Sequence, residues 1–412
     1  MSHQLFEALH HDISTLPVID CHEHTFLPEQ CPQPTDLWVI LRNSDVGDDL
    51  ISAGMPVPSR ANLGWTAVEP FLPKVRNTAF YRSLLAAFQQ LFDFPHEDIT
   101  ATNWPALSEQ IQAANAQPDW YEQVLRQRAN IQLILRVQGD ESDPYALEWN
   151  LFGPLIKFDE WILTIAPAER EGLAQKFGGS ARTLSAYLEA LEAAFRHAKT
   201  HGAVGAKSML AYQRTLEIGR PTQAEAKKLF GRTNLAPAET KTLQDYLAHA
   251  VAEQAGVFDL PYQTHIGYGS WQSNITGQAN PLLLNPLFEA HRRTKFVLLH
   301  GGYPFIGEMG TLAKNHPNVF IEAGWLAYIA PAAYRRALSE WLDSVPSNKL
   351  LAFSADCLHI EQTFGALLLT RRLLAQTLAE KIDNEGWSQE LAQAVAAGLM
   401  SENAVELYQL KL

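Results

Sequence analysis

Eight short apolar runs, separated by helical stretches, constrain most strongly what this sequence can fold into. They are Leu16 to Ile19, IQLILRV (131 to 137), EWILTI (160 to 165), AVGAKSML (203 to 210), FDLPYQTHI (258 to 266), KFVLLH (295 to 300), NVFIEA (318 to 323) and LLAFSAD (350 to 356). Amphipathic segments such as ARTLSAYLEALEAAFRHAKTH and KTLQDYLAHAVAEQA lie between them, each long enough for a right-handed crossover. Strands alternating with helices pair in parallel, so the pattern predicts an α/β fold, a single (β/α)8 TIM barrel spanning 1–412. A doubly wound open sheet is the alternative, but no glycine-rich fingerprint follows the first run.

From 34 to 128 the pattern is helical, with apolar pairs at three- and four-residue spacing in FYRSLLAAFQQLF and WYEQVLRQRA and prolines at the breaks. This predicts a helical insertion or cap after the first strand. Its apolar faces and tryptophans suit a subunit contact in a homo-oligomer as well as a cap over the barrel mouth. Near the C-terminus, Leu391, Val395 and Leu399 share one face and predict helices that close the barrel.

Charge narrows the partners. With 45 acidic against 32 basic side chains the formal charge is −13, and no basic tract interrupts it, which disfavours nucleic acid and anionic membranes. No window holds the roughly 20 apolar residues of a spanning helix, and the N-terminus lacks the basic-then-apolar order of a signal peptide. A cytoplasmic protein acting on a small molecule is the expectation. Cys21, Cys31 and Cys357 are an odd number at no metal-finger spacing and predict no disulfide framework.

The chemistry sits where the predicted strands end: His22 and His24, Lys207, His265, His300 and Asp356. In such a barrel the C-terminal rim is where active sites are built. Two histidines at i and i+2 point to one side, so both imidazoles can reach one ion at about 2.0–2.1 Å. Each residue also has a plainer reading: a loop pair for His22 and His24, hydrogen-bonded core histidines for His265 and His300, an ion-paired lysine for Lys207, a helix cap for Asp356. Their conjunction on five strand ends favours the metal. Glu23, between the two histidines, faces the other side and reads as structural.

The ordered set HxH, Lys, His, His, Asp resembles the amidohydrolase superfamily of metal-dependent hydrolases. IDCHEH, VGAKSMLAY, QTHIGYG, LLHGGYP, FSAD and SENAVELYQL are similar to its amidohydrolase-related branch, amidohydrolase 2, over residues 16 to 30 and 130 to 412. The segment between resembles, more loosely, the insertion of uronate isomerases. The resemblance implies that His22, His24, His265 and Asp356 bind a divalent ion, with zinc the expected one, and that Asp356 takes a proton from the attacking water. His300 then ligates a second ion or polarises the substrate. With two ions, Lys207 is carboxylated and its carbamate bridges them; with one, it stays an amine.

Arg136, at the end of the second strand, and Arg214, just past the fourth, are candidate clamps for a substrate carboxylate. Tyr212, Tyr268 and Trp271 are candidate pocket walls. The expected activity is hydrolysis of an amide, ester or lactone in a small, carboxylated substrate. A non-oxidative decarboxylase, a sugar-acid isomerase and a non-catalytic metal-binding protein are the rivals.

Overall fold

A computed structural model describes residues 3–56, 64–138, 151–270 and 276–412. After helix α1 (His3–Thr15), eight strands follow: β1 Val18–Glu23, β2 Ile131–Gln138, β3 Phe152–Lys157, β4 Gly205–Ser208, β5 Tyr262–Thr264, β6 Phe296–Leu298, β7 Val319–Glu322 and β8 Leu350–Leu351. They pair in parallel in sequence order. Past the two-residue β8, the chain returns to β1 through Cys21 N to Phe353 O at 3.2 Å and Asp356 N to His22 O at 3.2 Å. The barrel is thereby nearly closed. Strands buried on both faces read as continuous apolar runs, as these do.

The third strand is not where the sequence suggests. It is Phe152–Lys157, while Glu160–Leu163, inside the run expected to be extended, is a short helix. Gly153 and Pro154 break the pattern of FGPLIK, since neither favours a strand interior, and the β-branched, aromatic EWILTI mimics one. Register overrides propensity here: Leu155 and Ile156 pair with Gly205 and Ala206, and the Pro154 carbonyl accepts from Val204 N at 3.0 Å.

Between β1 and β2 the described residues form helical segments only, among them α2 (Leu37–Arg42) and α3 (Asp45–Ser52). The helix Ala79–Leu91 of this region packs on Ile360–Glu385, the long helix after β8. Gly365 makes the approach possible, because a Cβ there would lie 2.3 Å from the Ser83 carbonyl oxygen. Inside the barrel Ile19, Cys21, Leu135, Leu155, Val297 and Leu351 pack together, and Ala404, Leu407 and Tyr408 from the last helix (Asn403–Tyr408) join them as a plug. Among the described residues no helix is long and apolar enough to cross a membrane, and all three cysteines are free and buried.

Candidate metal centre

β1 delivers His22 and His24 through an irregular end: its register against β2 shifts between Asp20 and Glu23, the kind of bulge that re-aims side chains beside active sites. Glu23 turns away from the histidines and is wholly buried. Its Oε2 accepts from His24 N at 3.0 Å and Cys357 N at 2.7 Å, and its Oε1 from the Thr363 hydroxyl at 2.7 Å. One carboxylate thus ties the end of β1 to the segment that carries Asp356. Burial pushes Glu23 up to about 7, against the opposing pull of these donors.

Asp356 is the hub. Its Oδ1 lies 3.5 Å from His22 Nε2 and 3.6 Å from His24 Nε2, and its Oδ2 lies 3.6 Å from His300 Nε2. These gaps are long for hydrogen bonds. They match the roughly 3.4 Å between neighbouring ligand atoms of a tetrahedral ion with bonds of about 2.0–2.1 Å. Ligand atoms of His22, His300 and Asp356 all lie within 4.8 Å of one another. Lys207 Nζ is 3.3 Å from His22 Nε2, and the His265 ring lies 4.7 Å from that of His300.

The donor atoms are suited to a cation. Gln263 donates its amide N–H groups to Cys21 O at 2.7 Å and Tyr408 Oη at 2.8 Å, which leaves Oε1 to accept from His22 Nδ1 at 2.7 Å. That network assigns the proton of His22 to Nδ1 and turns the Nε2 lone pair to the centre. Among the described residues the ring nitrogens of His300 and Nε2 of His265 are buried without hydrogen-bond partners, a costly state that a ligated ion relieves. Burial holds His22, His265 and His300 well below the ordinary imidazole range, hence neutral and able to ligate. It also lowers Lys207 to about 7 and raises Asp356 to about 6, the latter opposed by Lys207.

Backbone strain marks the same residues. His300 (φ 64°) and Asp356 (φ 51°) occupy the left-handed region without being glycine, as functional positions often do. Glu322 at the end of β7, wholly buried, accepts from His300 N at 3.0 Å and helps to hold that turn.

A cavity of about 280 Å³ opens on this centre. His22, His24, Lys207, His265, Asp356 and Tyr212 line it, and the Tyr212 ring lies 4.5 Å from that of His265. The expected clamps are not among its described walls. Arg136 is buried and donates to Thr25 O at 2.6 Å and to the side chains of Gln138 and Gln30, both at 2.9 Å. Arg214 pairs with Asp245 and donates to Gln244 Oε1 at 3.2 Å. Tyr268 lies tilted against Trp325, ring centroids 5.4 Å apart, and borders a separate groove, and Trp271 lies outside the described residues. Sequence reasoning missed Arg42, Asn43, Asp45 and Asp48, which reach the cavity from the α2–α3 corner. Nothing in a helical run signals which of its polar residues will face a distant strand end. Gln263 did carry a signal: a polar residue inside a short buried strand, two before His265.

Residues 159–410 match a family model described as amidohydrolase. Protein fluG of Emericella nidulans is 30% identical over 223 residues, 50% of this chain and 26% of that protein. The match therefore spans about a quarter of the curated relative's length. Among solved structures, uronate isomerase from Thermotoga maritima shares 15% identity at a TM-score of 0.81, covering 99% of this chain and 98% of that one. A protein from Lactobacillus casei described as a candidate metal-dependent hydrolase shares 20% identity at a TM-score of 0.66, covering 98% and 99%. At these identities the two structures speak to the fold.

Proposed function

The chain belongs to the amidohydrolase family, and on that premise we propose that it is a metal-dependent hydrolase of an amide, ester or lactone in a small molecule. The observation that carries this is the carboxylate of Asp356 set 3.5–3.6 Å from three imidazole nitrogens at the floor of a cavity. His22, His24, His265 and Asp356 hold the ion in this reading, with His300 beside them. A divalent ion bound there supplies acidified water and an electrophile for the carbonyl, with zinc the candidate of choice for this nitrogen-rich set.

The protein's own groups do the remaining work. Gln263 fixes the His22 ring, Asp356 accepts a proton and returns it to the leaving group, and His300 donates to or steers the carbonyl oxygen. Lys207, buried and lowered to about 7, is a neutral amine in a substantial fraction of molecules at pH 7. Such an amine can take up carbon dioxide with loss of a proton, and its carbamate would be an anionic oxygen ligand if a second ion were held. The barrel mouth admits a sugar-acid isomerase as a second reading, favoured by the full-length likeness to a uronate isomerase structure.

A screen of amides, esters and lactones alongside uronates, with zinc or manganese added, decides between them. Hydrolysis that disappears on chelation is the expected result. Uronate isomerisation without hydrolysis overturns the reading, and so does binding of the ion with no turnover at all.

A further inference from the structure

Two of the expected ligands, His24 and Asp356, come to the rim from opposite ends of the sequence, and neither lies within a strand. β1 is irregular where it releases His24, its register against β2 shifting between Asp20 and Glu23. β8 is only Leu350–Leu351, so Asp356 stands beyond the last paired position, in left-handed backbone at φ 51°. Ladder hydrogen bonds hold a strand residue in place, and here they stop short of both ligands. Asp356 N donates to His22 O at 3.2 Å, which joins the two segments through backbone on one side.

Glu23 joins them on the other. Its Oε2 accepts from the N–H of His24 itself at 3.0 Å and from that of Cys357, the residue after Asp356, at 2.7 Å. Its Oε1 accepts from the Thr363 hydroxyl at 2.7 Å, and Thr363 stands at the start of the helix Ile360–Glu385. That helix is fixed in turn, because Gly365 lies against the Ser83 carbonyl with no room for a Cβ. The carboxylate is thus a three-point brace between two ligand segments and an immobile helix. Without an acceptor here, two buried N–H groups and a hydroxyl must find other partners, and a shift of either segment to reach them moves a ligand. A shift of a few tenths of an ångström is enough, since metal–ligand distances tolerate only about 0.2 Å. Glu23 is not among the described walls of the cavity, so whatever it does there it does through its neighbours.

We propose that Glu23 is a positioning residue of the metal centre: by its hydrogen bonds it sets the separation of His24 and Asp356, and through them the affinity and coordination geometry of the ion. Thr363 is the far end of the same brace and touches neither ligand. The inference rests on the reading of the rim as a metal centre and is independent of which bond the enzyme breaks or which substrate it takes.

The test measures zinc affinity of the full chain by competition with a chelator, and the visible absorption of the cobalt-loaded chain, which reports coordination geometry. Thr363→Val, which removes the hydroxyl and keeps the shape of the side chain, weakens zinc binding by about ten-fold and alters the cobalt bands. Thr363→Ser restores affinity to within about two-fold of wild type. Thr370→Val is the control: it removes another buried hydroxyl of the same helix, bonded to Ala366 O at 2.9 Å, and leaves both readouts unchanged. Glu23→Gln, whose amide oxygen can serve both backbone N–H groups while its nitrogen donates to the Thr363 oxygen, stays within about five-fold, whereas Glu23→Ala loses about 100-fold. Melting temperatures of the ion-free chains are read alongside, and if Glu23→Ala does not fold, the Thr363 variants decide. Wild-type zinc affinity in Thr363→Val, an equal loss in Thr370→Val, no recovery in Thr363→Ser, or a Glu23→Gln as weak as Glu23→Ala overturns the positioning role and leaves the metal centre standing. A wild-type chain that binds neither zinc nor cobalt removes the metal centre itself, and the inference with it.

Discussion

In its interior the barrel is filled by Ile19, Leu135, Leu155, Val297 and Leu351 and stopped by Ala404, Leu407 and Tyr408, whereas at the strands' C-terminal ends it presents imidazoles, a lysine and a carboxylate. At the packed end, apolar contact leaves little polar strain. The rim keeps buried ring nitrogens of His265 and His300 without hydrogen-bond partners among the described residues and places His300 and Asp356 in left-handed backbone. Stability and chemistry are thus separated along the length of one strand. Gln263 joins the two ends, since it touches Tyr408 of the plug and His22 of the rim.

Substitutions at each end sharpen this division. The largest effect is expected for Asp356→Asn, which lowers kcat by about 10²–10⁴-fold through loss of the proton acceptor while leaving the urea midpoint nearly unchanged; turnover within two-fold of wild type breaks the assignment. Tyr408→Ala works in reverse. It costs about 3–5 kcal/mol in denaturant unfolding by opening a cavity in the plug, and a loss of turnover without loss of stability would erase the contrast between the ends.

The pH dependence of stability comes next. Burial, with Arg42 adding to it, lowers His359 to about 3 from its usual 6.5. Between these values the unfolded chain binds a proton that the folded chain refuses, so stability is intact above about pH 6.5 and falls as the pH drops through the window. At pH 5 the loss from this residue is about 2 kcal/mol. His359→Gln flattens the slope by that amount in chemical denaturation at pH 7 and pH 5, and an unchanged slope contradicts the burial account. The smallest effect is that of Gln263→Leu, which frees the His22 ring and weakens ion affinity by about ten-fold in competition with a chelator. Equal affinity would mean that the plug end does not reach the centre.

How much of this was legible in the sequence follows the range of the forces involved. Seven of the eight strands announce themselves because burial on both faces demands continuous apolar runs; β3 does not, since Gly153 and Pro154 hide a register that only its neighbours impose. His22, Lys207, His265 and Asp356 could be named because strand ends carry them to one rim. Arg42 could not, because its approach depends on how α2 and α3 fold back against His359, more than three hundred residues away. Arg136 and Arg214 misled for a related reason: proximity in sequence to a strand end says nothing of which acceptor captures a guanidinium, and buried carbonyls, side-chain amides and Asp245 captured both.

Every proposed role at the rim requires that it hold a metal ion. Crystals of the purified chain measured at the absorption edge of the ion found by elemental analysis test it directly. The expected result is an anomalous peak within bonding distance of His22, His24, His265 and Asp356, with His300 adjacent and Lys207 either carboxylated and ligating or standing clear. A stoichiometrically empty rim, or a peak away from Asp356, would contradict it.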